Sequence, residues 1–229
     1  MEPLQILFQD AHLVVINKPH GLLVHRSKIA TNTDVYALQL LRNQIGMKVF
    51  PVHRLDRKTS GVLVFALSSE VNSLMQQQFA NNQVSKIYTA ILRGFTPSMG
   101  TIDYALTNDN GKTQDAITHF KTLQTTEISI AQGKFPTSRY SLVEIKPETG
   151  RFHQIRKHFA HLRHPIIGDR PHGCNKQNKF FKEQWNMLTM MLHANEISFT
   201  HPLTFEKIRI KADFQPEFNR TFEFLQFSK

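Results

Sequence analysis

The stretch HRLDRKTSGVLVFALS, residues 53–68, runs from a charged loop into an uninterrupted apolar segment. The apolar segment covers residues 61–67, and a short continuous run of this kind predicts a buried strand. Asp56 stands between Arg54 and Arg57 on the loop that enters this strand. An isolated surface ion pair contributes only about 0 to 1 kcal/mol, whereas loops held at the end of a rigid strand often carry reacting groups. Asp56 is therefore a candidate catalytic residue, and a solvated surface acid is the alternative.

The rest of the chain predicts an α+β fold, in which a largely antiparallel mixed sheet is flanked by helices. Short connections between the apolar runs favour antiparallel pairing over a series of crossover helices. The predicted strands are residues 4–8, 13–16, 61–67, 85–95, 101–106, 117–123, 139–145, 197–199 and 208–211. The predicted helices are residues 34–46, the segment after a Ser68 cap, the segment from Gly150 to Pro165 and the Phe-rich tail 214–227. Because there is no repeat, long linker or low-complexity tract, we expect one continuous domain over residues 1–229.

The composition and charge of the chain restrict its class. With 229 residues, of which 40% are hydrophobic, the chain can bury a substantial core. Lys and Arg total 28 against 18 Asp and Glu, so the formal charge of +10 should attract polyanions such as nucleic acid. The single cysteine, Cys174, cannot form an internal disulfide, which makes the cytoplasm the expected compartment. The sequence shows no export signal and no run of about 20 apolar residues, so we expect no membrane anchor.

A second group of polar residues lies in GRFHQIRKHFAHLRHP, residues 150–165. Its apolar residues recur at intervals of three, four and three, which is typical of an amphipathic helix. The remaining side chains should form a cationic face, and its arginines, among them Arg151 and Arg156, can bind phosphates or hold a carboxylate in a two-pronged contact. A solvated basic helix face is the alternative.

Other chemistries have little support in the sequence. His158, His161 and His164 are three residues apart, but there is no HExxH pattern and no cysteine pair, so we expect no metal site. The chain lacks both the GxxxxGK[ST] loop and the GxGxxG turn, so we expect no nucleotide cofactor. Cys174 has no activating neighbour. Tyr88 lies in the predicted strand SKIYTAILRG, where packing is the ordinary role and stacking on a nucleobase is the functional alternative.

Five segments, in this order, resemble the motifs of the RluA-type pseudouridine synthases. They are NKPHGLLVH (17–25), HRLDRKTSGVLVFA (53–66), SKIYTAILRG (85–94), TGRFHQIRKHFAHLRHPIIGD (149–169) and MLHA (191–194). The similarity spans nearly the whole chain, and the pair HRLDRKTSG and GRFHQIR at this separation is highly specific. The resemblance implies a pseudouridine synthase catalytic domain that isomerises uridine to pseudouridine in RNA and needs no cofactor.

The resemblance also implies roles for individual residues. Asp56 takes the place of the family's essential aspartate, and Arg54 takes that of the arginine which helps to displace the target base. Tyr88 matches an active-site tyrosine that is expected to contact the uracil ring. Arg156 matches a basic residue that pairs with the catalytic carboxylate, and Arg151 of the same motif is expected to bind substrate.

Two features differ from the family pattern. Phe152 replaces the small polar residue that is usual between the Arg and His of GRxHQIR, so a local contact should differ there. About ten residues precede the first shared strand, so we expect no separate N-terminal RNA-binding domain of the S4-like type. The basic surface of the catalytic domain should then hold the RNA.

Within the family, residues 136–173 look most like the branch that modifies uridine 65 in the T stem of transfer RNA. We therefore expect transfer RNA as the partner of a monomeric enzyme, with ribosomal RNA as the alternative substrate. A non-catalytic RNA-binding protein and a metal-dependent hydrolase using the histidine cluster are two further alternatives. Conversion of uridine by the purified protein tests the first of these, and loss of activity on chelation tests the second.

Overall fold

The computed structural model describes residues 3–25, 35–108, 110–131 and 135–228. In chain order its elements are β1 (Gln5–Gln9), β2 (Leu13–Lys18), α1 (Ala37–Ile45), β3 (Phe50–Pro51), β4 (Ser60–Ala66), α2 (Ser69–Ala80), β5 (Ser85–Arg93), β6 (Met99–Asp103), β7 (Leu106–Thr107), β8 (Thr113–Gln114), β9 (Ile117–Ile128), β10 (Ser138–Pro147), α3 (Gln154–His161), α4 (Asn175–Trp185), β11 (Leu192–Thr200), β12 (Lys207–Lys211) and α5 (Pro216–Leu225). They belong to two compact units, the first made of Met1–Lys86 with Ala194–Gln215 and the second of Ile87–His193 with Pro216–Lys229. Each unit combines segments that are distant in sequence, and the single catalytic domain over the whole chain stays a prediction.

The first unit is built around β4, whose seven residues are all buried. β4 pairs antiparallel with β2 and with the short β3, and β1 pairs antiparallel with β2. β11 lies beside β4 and pairs antiparallel with β12. All seven residues of β4 are buried, so both of its faces are withdrawn from water, as its continuous apolar run predicted, and α2 packs against this strand.

Gly61 allows β4 to approach β11 closely. Its φ is +109°, a backbone conformation that L side chains rarely adopt, and a Cβ atom at this position would lie 2.2 Å from the main-chain oxygen of Ala194. Only glycine avoids both the backbone strain and the collision. Gly61, at the start of the apolar run, is therefore required by the packing of the first unit.

The second unit contains the antiparallel series β5, β10, β9 and β6. Helix α3 packs on this series through Phe159, whose ring meets that of Phe120 on β9 edge-on at 5.5 Å. The hydroxyl of Tyr140 on β10 donates a hydrogen bond to Gln177 of α4 at 2.9 Å. These contacts hold α3 and α4 on the strands that carry the second half of the motifs.

Most of the predicted elements are present, with shifted ends. The structure confirms the buried strand, the C-terminal hairpin and the helical Phe-rich tail, which is α5. The Ser68 hydroxyl caps α2 by accepting a hydrogen bond from the amide of Val71 at 3.2 Å. The helix predicted for residues 34–46 spans Ala37–Ile45 and ends at a left-handed Gly46, while Asp34 lies outside the described residues.

One predicted helix begins later than expected, and one helix was not predicted. α3 begins at Gln154 rather than at Gly150, because His153 adopts a left-handed conformation with φ of 57°. Helix α4 was not predicted, since it buries only Gln177 and Phe181 and so carries no continuous apolar stripe. The longest helix in the described part of the chain is α2 with 12 residues, and none there is long and apolar enough to cross a membrane.

Candidate active site

In the first unit, the loop that carries Asp56 is held by its backbone and by one core residue. Leu55 is 6% exposed and anchors the loop in the core, whereas Arg54 and Arg57 are exposed. The main-chain oxygen of Asp56 accepts a hydrogen bond from the amide of Thr59 at 3.0 Å, which closes the turn that leads into β4. The Asp56 residue is half-buried. A carboxylate on a loop fixed in this way can meet a substrate without first losing conformational freedom.

Lys18 joins the Asp56 loop to the segment that follows β2. Its ammonium is completely buried and donates hydrogen bonds to the main-chain oxygens of Pro19, Leu22 and Arg57 at 2.9, 2.8 and 3.2 Å. Burial lowers the pKa of Lys18 to about 7, and the negative charge of Asp56 acts in the opposite direction. Lys18 therefore fixes the loop and also places a titratable cation near the candidate carboxylate.

Two histidines of the first unit are neutral at physiological pH. Burial, together with the charges of three neighbouring cations, lowers the pKa of His20 to about 4. Burial likewise lowers the pKa of His53 to about 4, with an added contribution from Lys86. The His53 Nε2 accepts a hydrogen bond from the amide of Val64 at 3.2 Å, which requires the unprotonated nitrogen. These imidazoles therefore contribute to the structure of the unit rather than to its positive charge.

In the second unit, Gln154 shapes the segment that precedes α3. Its side-chain oxygen accepts hydrogen bonds from the Thr149 hydroxyl at 2.7 Å and from the Arg151 amide at 2.9 Å. Its side-chain nitrogen donates to the main-chain oxygen of Ile117 and to the Thr118 hydroxyl, both at 3.0 Å. Gln154 is 4% exposed, so this residue of the motif fixes the position of Arg151 from inside the fold.

Arg156 is buried and forms a two-pronged ion pair with Asp169. The Arg156 Nε lies 2.9 Å from Oδ2 of Asp169, and Nη2 lies 2.7 Å from Oδ1. A bidentate pair of this kind fixes the plane of the guanidinium as well as its position. The pairing of Arg156 with Asp56, which the family resemblance implies, concerns residues of different units and stays a prediction.

The predicted site residues fall into two groups. Arg54 and Asp56 share one loop of the first unit, with Arg54 exposed. Tyr88 is half-buried on β5 of the second unit, where Arg151 and Arg156 flank the start of α3. Arg54 and Asp56 thus lie on one loop and Arg151 and Arg156 at the start of one helix, while the approach of Tyr88 to either pair stays a prediction.

The cationic face predicted for α3 is smaller than expected. His158 is completely buried, with its Nδ1 3.0 Å from the Thr118 hydroxyl and its Nε2 2.9 Å from the main-chain oxygen of Tyr104. Burial also lowers the pKa of His158. The expectation that His158 lies on the cationic face was therefore wrong, because partners far away in sequence satisfy it inside the fold, whereas Arg156 holds a carboxylate in one of the two contacts expected for it. Across the described ranges, no three His, Cys, Asp or Glu side chains are grouped so as to hold a metal ion.

Lys18 and Asp169 were missed by the sequence reasoning. Both lie inside motif segments, in NKPHGLLVH and in HPIIGD respectively, but their roles depend on burial and on partners 39 and 13 residues away. The available signal was a charged residue next to an apolar run inside a motif. A charged residue of this kind is buried only when its charge is paired, so its burial would have implied a partner.

Residues 12–161 match the family described as RNA pseudouridylate synthase. A Vibrio vulnificus protein named tRNA pseudouridine synthase C is 47% identical over 231 residues, which cover 96% of this chain and 94% of that protein. A Yersinia pestis protein of the same name is 44% identical, with 91% of this chain and 86% of that protein covered. The solved structure of human RNA pseudouridylate synthase domain containing 4 has a TM-score of 0.75 at 25% identity, covering 97% of this chain and 93% of that one.

Proposed function

Because the chain belongs to the RNA pseudouridylate synthase family, we propose that it acts on transfer RNA, at uridine 65 of the T stem, with Asp56 as its catalytic carboxylate. The enzyme class follows from the family: it is an RNA uridine isomerase. The transfer RNA assignment is supported by relatives that carry the name tRNA pseudouridine synthase C over most of the chain.

The observation that carries the role of Asp56 is the fixed loop on which it stands. Leu55 anchors this loop in the core, and the buried ammonium of Lys18 holds the loop through the main-chain oxygen of Arg57. A solvated surface acid would need no such support. The half-buried position of Asp56 leaves part of the residue accessible to a substrate.

The reaction requires a group that can add to a carbon atom or remove a proton and then be restored. The bond between uracil N1 and ribose C1′ breaks, the detached base turns, C5 bonds to C1′, and C5 loses its proton. A carboxylate can act as the nucleophile in the first stage or as the base in the last. No electrons are gained or lost overall and no group passes to another molecule, so the proposed reaction requires neither a redox cofactor nor a nucleotide triphosphate, and we expect no metal.

The target nucleotide must leave the stacked helix before Asp56 can reach it, at a cost of a few kcal/mol. We assign Arg54 to the space that the nucleotide vacates and Tyr88 to a contact with the uracil ring. Arg156 is proposed to pair with the negative charge of the catalytic carboxylate, and Arg151 is proposed to bind the substrate. The exposed position of Arg54 is consistent with its role, and the pair with Asp169 fixes the guanidinium of Arg156 in one orientation.

The remaining parts of the proposal concern the setting of the enzyme. We infer that it works as a monomer in the cytoplasm. Its single cysteine, Cys174, cannot form an internal disulfide, so the fold does not depend on an oxidising compartment. Its formal charge of +10 should draw RNA to it, with an affinity that falls as salt rises.

The test uses transfer RNA transcripts that carry tritium at C5 of uridine. The wild-type protein should release tritium, and Asp56→Asn should release none while retaining its fold by circular dichroism and its RNA affinity within about twofold. Glu70→Gln removes an exposed acid from α2 of the same unit and is the matched control. Substantial turnover by Asp56→Asn would refute the catalytic role.

The same assay tests the substrate. A transcript with cytidine at position 65 should lose tritium release, and fragments of ribosomal RNA should not release tritium. If ribosomal RNA is modified and the transfer RNA is not, the enzyme class stands and the transfer RNA assignment fails.

A further inference from the structure

We propose that Phe152 is a platform on which an unpaired nucleobase of the RNA substrate stacks. The proposal rests on the proposed function in one respect, namely that the substrate is RNA. Phe152 is 42% exposed and stands in GRFHQIR, where the family resemblance led us to expect a small polar side chain. An exposed ring at this position adds little to the hydrophobic core. We therefore infer that the Phe152 ring contributes to binding.

The ring of Phe152 is held in place by a series of contacts that ends at a buried ion pair. It stacks on the imidazole of His153, with ring centroids 3.8 Å apart and planes inclined by 21°. The Nδ1 of His153 lies 3.0 Å from Nε2 of His172, and the His172 amide points at Oδ1 of Asp169 at 3.5 Å. Asp169 in turn holds Arg156 in the two-pronged pair. The ring is therefore an ordered surface, and a base that stacks on it need not first immobilise it.

Cations next to the ring indicate what kind of ligand it fits. The Lys157 Nζ lies over the Phe152 ring, 5.9 Å from its centroid, at the end of a flexible side chain. On the other side in sequence, Arg151 is anchored through its Nε to the main-chain oxygen of Asp115 at 3.0 Å. A nucleotide offers a flat base to the ring and a phosphate to these cations, whereas an apolar peptide would leave the cations without use.

The ligand should be an unpaired base rather than a base pair. In a duplex, each base is covered on both faces by its neighbours, and only its edges are accessible. A free face is available where the strand is single or where a neighbouring nucleotide has been extruded, which the proposed reaction requires. Stacking of this kind tolerates every base, so Phe152 should contribute affinity with little sequence preference.

The test compares two RNA probes of about the same length, a labelled oligouridine of about 12 nucleotides and a blunt RNA duplex. Dissociation constants are measured at low salt for the wild-type protein and for Phe152→Ala, Phe152→Leu and Phe152→Trp. Phe205→Ala is the matched control, because it removes a phenyl ring that is 78% exposed and lies in the first unit, on the turn between β11 and β12. Binding is read without turnover, so the result does not depend on the role of Asp56.

We expect Phe152→Ala and Phe152→Leu to weaken oligouridine binding about tenfold and to change duplex binding less than twofold. Phe152→Trp should keep or improve the affinity, and Phe205→Ala should leave both probes unchanged. Equal affinity of Phe152→Ala and wild type for oligouridine would overturn the proposal. So would an equal loss on both probes, which would indicate a structural or electrostatic role, or wild-type affinity of Phe152→Leu, which would show that no aromatic ring is needed.

Discussion

The buried ammonium of Lys18 predicts that part of the stability of this enzyme rises with pH in a defined window. Burial holds the pKa of Lys18 at about 7 in the folded chain, whereas unfolding returns it to 10.5. Between these values the unfolded chain binds a proton that the folded chain lacks, so the free energy of unfolding should rise by about 1.4 kcal/mol per pH unit. Below the folded pKa both states are protonated, so the dependence on pH ends and the folded chain carries the full cost of the buried charge.

The expected magnitude is large enough to measure. Across two pH units within this window the contribution of Lys18 amounts to about 3 kcal/mol, against a total stability of roughly 5 to 15 kcal/mol for a typical domain. Because other groups titrate in the same range, the quantity to follow is the difference between wild type and Lys18→Met. Lys48→Met, which removes an exposed lysine from the same unit, is the matched control.

The assay is urea unfolding at a series of pH values from about 7.5 to 9.5. The unfolding free energy of wild type minus that of Lys18→Met should rise with pH. The same difference for Lys48→Met should not change with pH. Asp56→Asn gives a second check, because the charge of Asp56 raises the pKa of Lys18 and its removal should move the rise to lower pH. A difference for Lys18→Met that does not change with pH would show that this lysine stays protonated in the fold, and would refute the reasoning from burial.

Two further predictions concern the contacts that hold the site. Asp169→Asn should destabilise the protein by about 3 kcal/mol in urea unfolding, because it removes the charge opposite Arg156 where the two side chains are 1% and 5% exposed; a loss below about 1 kcal/mol would contradict a tightly coupled pair. Gly61→Ala should cost roughly 3 kcal/mol or more, or abolish folding, since its Cβ would lie 2.2 Å from the Ala194 oxygen. An unchanged melting temperature for Gly61→Ala would contradict the close approach of β4 and β11.

Periodicity and motif spacing were sufficient where one local feature decides the structure. The continuous apolar run predicted the buried strand β4, because a strand whose two faces are both buried carries apolar residues at successive positions. The polar Ser68 ahead of a helical stripe predicted the cap of α2. The motif pair HRLDRKTSG and GRFHQIR led to the family, which the match over residues 12–161 confirms.

The sequence failed where a charged or polar residue lies in the core. Helix α4 buries only two residues, so its sequence lacks the apolar periodicity that distinguishes an amphipathic helix from a polar loop. His158 was expected on a solvated face, but Thr118 and the backbone of Tyr104 satisfy it inside the fold. Whether such a residue is buried depends on partners that lie 40 and 54 residues away, and no local period encodes them.

The amino-acid sequence by itself determined the family, the isomerase chemistry and the residue types offered to it, because these depend on side-chain identity and on order along the chain. The tertiary structure alone decided that Lys18 titrates near neutral pH, that Asp169 holds Arg156, and that Phe152 is an ordered exposed ring. The physical reason is that pKa values and side-chain orientations are set by loss of water and by contacts closed over long stretches of chain. The pKa shifts and the fixed orientations arise only once the chain has folded.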